Sequence, residues 1–208
     1  MTTLFLARHG QTDWNLAHRW QGDPPLNDTG RAQARALAES LAAIPLDGIY
    51  SSDLARARET AEIAGGLLGL EVEIDPRLGE IDVGEWVGHS TAELEELYPA
   101  GFQRYREGRA GWEQGESYEA MIARVEAAFD SIEAAHPHGR YLLATHAGVM
   151  CAAWLASGRE LAAWEGTHNG DVHEILIEHG EISWIGVAQH GERHNGSKPS
   201  IFWRVSQD

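Results

Sequence analysis

"LFLARHGQTDWN" runs from Leu4 to Asn15. A short apolar run ends there in arginine, histidine and glycine, almost at the first residue of the chain. Thr3 to Ala7 is apolar and bounded by polar residues, which predicts a short buried strand. A cation and an imidazole at the end of a buried element need a reason, and the rest of the sequence supplies one.

Outward from this strand, strand and helix patterns alternate. "NDTGRAQARALAESLAAI" (27–44) carries Leu37, Leu41 and Ile44 at helical spacing, with Asp28 or Thr29 as cap and Pro45 as stop. "LDGIYSS" (46–52) reads as a second strand. "LARARETAEIAGGLLG" (54–69) follows as a helix with Leu54, Ala57, Ala61, Ala64 and Leu68 on one face. "EVEID" (71–75) is a third strand. The segment from Gly84 to Gly115 is mixed, rich in glycine and aromatic residues. "SYEAMIARVEAAFDSIEAA" (117–135) turns Met121, Val125, Ala128 and Ile132 inward. "RYLLAT" is a strand and "AGVMCAAWLA" a helix. "VHEILIEH" and "ISWIGVAQH" close the chain as a pair of strands. Strands separated by helices predict an α/β sheet with helices on both faces, and ligands of such sheets bind beyond the carboxyl ends of the strands.

Five ionisable groups fall at those ends. Arg8 and His9 follow strand one, Arg56 lies just past strand two, Glu80 follows strand three and His146 follows "YLLAT". Two arginines bind a phosphoryl group with planar forks. A neutral histidine attacks phosphorus, and a second, if protonated, stabilises the equatorial oxygens. A glutamic acid protonates the leaving alkoxide and then deprotonates water. Asn15 donates to phosphate without adding charge.

Composition bounds the alternatives. The 208 residues fit one large domain or two small ones, and 43% apolar residues supply a core. Net charge is −16, from 32 acidic and 16 basic residues, which argues against nucleic acid and anionic membrane as partners. An anionic substrate must then be held by local arginines, because distant charges are screened beyond about 8 Å. The single Cys151 forms no internal disulfide and points to a cytoplasmic setting. No apolar run approaches the roughly 18 residues of a membrane span, and the N-terminus shows no signal-peptide pattern.

The motifs together resemble the histidine phosphatase superfamily, in its phosphoglycerate-mutase-like branch. "LARHGQTDWN" matches R-H-G-[EQ]-T-x-x-N. "YSSDLARARETA" matches S-S-x-L-x-R-A-x-x-T-A, "RLGEIDVGEWVG" matches L-x-E-x-x-x-G-x-W-x-G, and "LLATHAGV" matches an apolar strand followed by His-Gly-Gly. The resemblance implies a three-layer α/β/α sandwich with a mostly parallel sheet. The chain is expected to be one domain over 1–208, with a small cap at about 84–116. His9 is implied as the phosphohistidine nucleophile and Glu80 as the proton donor. Arg8, Arg56 and His146 are implied as the phosphate pocket, with Asn15 as a further ligand. The amide of Ala147 is expected to reach phosphate, and Gln21 and Gly22 match the substrate-side loop. The family needs no metal, and no cofactor is expected. The implied partner is a small phosphorylated metabolite; a homodimer is left open. Two departures stand out. Ala147 replaces the usual glycine, bringing a methyl towards the pocket, and "QGDPPLN" is about two residues shorter than Q-G-x-x-D-x-P-L.

Competing readings stay open. Asp82 and Glu85 flank Glu80 and compete as the acid. Trp20 and Trp112 read equally as pocket lining and as core. His136 and His138 suggest a metal, though surface histidines are the plainer reading; His168, His173, His179, His190 and His194 show no ligand spacing. Arg104, Arg106 and Arg109 are either a solvated face or a second anion site. Three functions follow: a phosphomonoesterase, a 2,3-bisphosphoglycerate-dependent phosphoglycerate mutase, and an idle phosphate-binding module. The 65 residues between Glu80 and His146 leave room for only a short insertion. "GEWVGHSTAELEELYP" and "WEQGESYEAMIARV" resemble patterns of the small phosphatase branch, which favours the first.

Overall fold

The computed structural model describes residues 1–20 and 22–191, so Gln21 and His194 lie outside the described residues. Six strands form one sheet: β1 (Thr2–Arg8), β2 (Gly48–Ser51), β3 (Val72–Ile74), β4 (Arg140–Thr145), β5 (Val172–Glu178) and β6 (Glu181–Gln189). Their order is β3-β2-β4-β1-β5-β6. The first four are parallel, and β5 and β6 add antiparallel at one edge. The helices are α1 (Asp13–Leu16), α2 (Asp28–Leu41), α3 (Ala55–Leu68), α4 (Thr91–Leu97), α5 (Pro99–Arg106), α6 (Tyr118–Ala135) and α7 (Ala147–Ala156).

Alternation along β1 builds the layers, because successive side chains leave opposite faces. Leu4 and Leu6 join one buried cluster with Met121 and Val125 of α6 and Met150 of α7. Phe5 and Ala7 join another with Leu37 and Leu41 of α2 and Ala61 and Ala64 of α3. Both faces of β1 are buried, so its sequence reads as a continuous apolar run. The result is the expected sandwich of two helical layers around a mostly parallel sheet.

This winding places the site. α2, which follows β1 and the short α1, packs on one face and α7, which follows β4, on the other, although β1 and β4 are neighbours. A crevice opens at their carboxyl ends, where α/β sheets take ligands. Pairing of Arg8 with Thr145 sets His9 and His146 side by side just past the strand ends. Pairing of Ser51 with Ala144 brings Ser52 to the same level. Gly10 explains itself by space: a Cβ there would lie 2.3 Å from the Gly30 carbonyl oxygen. The first turn of α2 presses directly on the loop after β1.

Two boundaries differ from expectation. Asn27, not Asp28 or Thr29, caps α2, its side chain accepting from the Gly30 N–H at 2.9 Å. The helix stops at Leu41 rather than Ile44, because the ring of Pro45 crowds the carbonyl four residues earlier.

Residues 84–116 fold around Trp86, which is fully buried. Trp20, Tyr105 and Trp112 pack edge-on against it at ring distances of 5.3, 5.7 and 5.7 Å. Trp20 and Trp112 are therefore packing residues of this segment. Main-chain bonds Trp20 N–H to His89 O and Gly88 N–H to Trp20 O, both 2.9 Å, tie the loop after β1 to it.

Candidate active site

His9 is buried, and its two ring nitrogens have different partners. Nδ1 lies 2.7 Å from the Gly10 carbonyl oxygen, which accepts only, so Nδ1 carries the proton. Arg56 Nε donates to Nε2 at 3.1 Å, so Nε2 holds the lone pair. Burial pushes the imidazole well below its ordinary pKa, and the charges of Arg56 and Arg8 push the same way. The ring is thus a neutral base with its nucleophilic nitrogen towards a cation.

Near this nitrogen, two buried guanidinium donors, Arg8 Nε and Arg56 Nη2, and one imidazole nitrogen, His146 Nδ1, have no partner among the described residues. The rest of each side chain is fixed. Arg8 Nη1 donates to Thr167 O at 2.6 Å, and Arg56 Nη1 to Gly22 O at 2.7 Å. His146 Nε2 lies 2.9 Å from Ser52 Oγ, and its ring centroid is 5.2 Å from that of His9. Burial lowers Arg8 to about 10, so it stays charged at neutral pH. Burial, with Arg56 and His9 beside it, holds His146 well below its usual value and neutral. The Ala147 N–H, at the first position of α7, has no acceptor within the helix. Leaving a buried donor unpaired costs about 1–3 kcal/mol, so several pointing into one crevice mark a place for an acceptor-rich anion.

Glu80 completes the group. Its Oε1 accepts from the Ile81 N–H at 3.0 Å and the Gly148 N–H at 3.2 Å. Burial raises its pKa, outweighing the opposing pull of Arg56 and the two amides. A buried carboxyl whose proton is held more tightly than usual, near two arginines, is suited to give that proton to a departing oxygen. Gly148 is required here: a Cβ would lie 2.2 Å from Glu80 Oε1. Arg124 of α6 holds the loop, donating to the carbonyls of Arg77, Gly79 and Glu80 and to both oxygens of Glu116.

The sequence pattern of the histidine phosphatase superfamily (branch 1) matches residues 4–191. The chain belongs to this superfamily. Among similar proteins is phosphoserine phosphatase 1 of Hydrogenobacter thermophilus, 35% identical over 160 residues, or 75% of this chain and 76% of that one. Another is a probable phosphoglycerate mutase, GpmB, of Proteus mirabilis, 37% identical over 150 residues and 70% of each chain. A solved mycobacterial glucosyl-3-phosphoglycerate phosphatase superposes with a TM-score of 0.81 at 30% identity, covering 91% of this chain and 99% of that one.

Sequence reasoning missed several residues of this candidate site. Ser52 orients His146. Asn169 Nδ2 donates to the His9 carbonyl at 2.9 Å and lies 3.3 Å from Asn15 Oδ1. Thr167 holds Arg8, and Gly148 accommodates Glu80. Asn15 Oδ1 also accepts from the Thr12 N–H at 2.9 Å, which turns the Asn15 amide by its oxygen and leaves its Nδ2 as the donor.

Other expected residues serve elsewhere. Gln21 lies outside the described residues. Gly22 meets Arg56 through its carbonyl. Ala147 is buried and belongs to the cluster that includes Met121 and Val149. Asp82 is exposed and accepts from the Gly84 N–H. Glu85 clasps the amides of Glu113 and Gln114, which lowers its pKa against the effect of burial. Arg104 donates to Gly111 O at 2.7 Å, Arg106 pairs with Glu95 at 2.8 Å, and Arg109 pairs with Glu107. These three arginines find their partners within 84–116. His136 Nε2 lies 3.0 Å from Tyr50 Oη. Cys151 is fully buried, and burial pushes its thiol up.

His173 is expected to make the fold acid-sensitive. Its ring sits 5.0 Å from Trp184 and 6.2 Å from Trp164, with neither nitrogen partnered among the described residues. Burial pushes it down to about 4, although Asp171 pulls the other way. The unfolded chain takes up a proton below about pH 6.5 that the folded chain refuses until about pH 4. Stability should therefore fall as pH drops through that window. Between pH 7 and 5, the His173→Leu variant should lose about 2 kcal/mol less stability than wild type, by urea unfolding. Parallel losses would remove His173 as the cause.

Proposed function

We propose that this protein is a metal-independent phosphomonoesterase that hydrolyses a small phosphorylated metabolite through a phosphohistidine on His9. The observation that carries this reading is the set of unpartnered buried nitrogens, Arg8 Nε, Arg56 Nη2 and His146 Nδ1, near a neutral imidazole whose lone pair is held at Nε2. The phosphoryl oxygens accept from these donors, from the Ala147 N–H and from Asn15. They draw Arg56 Nε off His9, which frees Nε2 to attack phosphorus. The ester oxygen departs with the proton of Glu80. Water then gives a proton to the Glu80 carboxylate and attacks phosphorus, which breaks the P–N bond and releases orthophosphate. Bound phosphate dianion raises the pKa of His146, so this ring becomes a cation only when charge is there to be met.

Residues 84–116 serve as a cap of a single domain, on this reading. The lone, buried Cys151 supports a reducing, cytoplasmic compartment, and no described helix is long and apolar enough to cross a membrane. A panel of phosphorylated metabolites assayed for free phosphate tests the activity. Release should persist in EDTA; loss in EDTA with recovery on adding Mg²⁺ or Zn²⁺ would count against it. The identity to a probable phosphoglycerate mutase favours a second reading, isomerisation by the same phosphohistidine. A coupled mutase assay supplied with 2,3-bisphosphoglycerate separates the two: hydrolysis should dominate, since a short cap leaves water access to the phosphoenzyme.

A further inference from the structure

Arg8 is held by a turn far along the chain. β5 runs antiparallel to β1, and Ala7 pairs with Val172. Residues 167–171, just before β5, therefore lie beside the end of β1. They hold Arg8 three times. The Gly170 N–H donates to Arg8 O at 3.1 Å, and the Arg8 N–H donates to Asp171 O at 3.0 Å. Arg8 Nη1 donates to Thr167 O at 2.6 Å. This last bond fixes the plane of the guanidinium. The direction of Nε, unpartnered among the described residues, is fixed with it.

One side chain holds the turn. The Asp171 carboxylate is buried. Its Oδ2 accepts from the His168 N–H at 2.6 Å and lies 3.3 Å from Thr167 Oγ1. Its Oδ1 accepts from the Gly191 N–H at 2.8 Å. Donors thus approach both oxygens, which suits a carboxylate because it accepts at both and donates at neither. The Thr167 carbonyl and the His168 N–H belong to one peptide group, which is planar and rigid. Asp171 grips that peptide by its N–H while Arg8 leans on its carbonyl. Hydrogen bonds in such a chain polarise one another, so the carboxylate strengthens the carbonyl as an acceptor. Charge acts in the same sense: burial lowers the Arg8 pKa, and Glu80 and Asp171 pull it back.

We propose that Asp171 is a positioning residue of the reaction, which aims Arg8 Nε at the phosphoryl group through the Thr167–His168 peptide. The inference rests on the phosphatase reading and adds a residue to its machinery. Catalytic groups are held in productive geometry by neighbours that lock their rotamers, and Asp171 does this for Arg8 without touching phosphate.

A double-mutant cycle between Asp171 and Arg8 tests it, read as kcat/KM for p-nitrophenyl phosphate and as calorimetric affinity for orthophosphate. Asp171→Ala should lose about tenfold in each, as a misaimed donor would. In the Arg8→Ala background the same substitution should cost about twofold or less, because no guanidinium is left to aim. A cost as large without Arg8 as with it would place the effect in the fold, or on His9 through Asn169 of the same turn, and would overturn the proposal. Wild-type values for a folded Asp171→Ala would do the same. Asp171→Asn, which keeps the size and one of the two acceptors, carries the cycle if melting curves show the alanine variant unfolded. A wild type that hydrolyses no phosphomonoester would sink the phosphatase reading, and the orthophosphate arm would still decide the role of Asp171. A wild type that does not bind orthophosphate either would overturn both.

Discussion

The His9→Ala variant is expected to lose about 10⁴-fold or more in kcat/KM for p-nitrophenyl phosphate and to give no acid-labile phosphoenzyme. The expectation follows from which nitrogen is available. The Gly10 carbonyl holds the Nδ1 proton, so the lone pair is at Nε2, against Arg56. No neighbour replaces it, because His146 is tied at Nε2 to Ser52. On the proposed reaction its remaining nitrogen faces the phosphoryl group rather than attacking it. The variant keeps Arg8, Arg56 and His146, so it should still bind orthophosphate while failing to turn over. Rapid quench with labelled substrate reads the phosphoenzyme, and a melting curve checks that the buried substitution has not unfolded the chain. Wild-type turnover in a folded variant would remove His9 from the mechanism. The depressed pKa of His9 adds a pH expectation: the wild-type profile should keep its activity well below pH 6.5, since the nucleophile is already neutral there.

How much of this was legible beforehand depended on sequence distance. β1, α6 and α7 were readable because their periodicity is set by burial, and burial acts residue by residue. Arg8, His9, Arg56, Glu80 and His146 were readable because each sits at a strand end that the pattern locates. Ser52, Asn169 and Thr167 were not, because their contacts close loops of 94, 160 and 159 residues, and no local spacing records them. Gly148 was hidden for a different reason: its need for no side chain comes from Glu80, 68 residues away. The arginines of 104–109 looked like a substrate device because they are rare cations in an acidic chain. Their carboxylate partners, Glu95, Glu107 and Glu113, lie within the same segment, and only the turn between α5 and α6 brings Arg104 back onto Gly111. Trp20 gave the opposite lesson. It lies near the catalytic loop in sequence, yet its ring is drawn to Trp86 by the larger apolar surface there.

Glu80→Gln separates leaving groups more sharply than any other single change here. Glutamine keeps the size of the side chain, and its carbonyl oxygen still accepts from the Gly148 and Ile81 amides, so position is retained while the acidic proton is lost. An alkyl phosphate expels a poor leaving group that must be protonated, and its turnover should fall about 10³-fold. The p-nitrophenolate ion leaves unaided, so its phosphorylation step should fall about tenfold or less. Dephosphorylation needs the same residue as a base, so p-nitrophenyl phosphate should show a burst of nitrophenol followed by slow release of phosphate. The pH profile gives a second readout. Burial raises the Glu80 pKa, so wild-type kcat/KM for the alkyl ester should decline on an alkaline limb that starts above the ordinary carboxylate range, as the acid loses its proton. The substrate's own second ionisation, near pH 6, is common to wild type and variant. The limb specific to Glu80 is therefore the part that disappears on substitution. Equal losses for both leaving groups, with the limb unchanged, would show that the proton comes from elsewhere, and exposed Asp82 would be the first residue to examine.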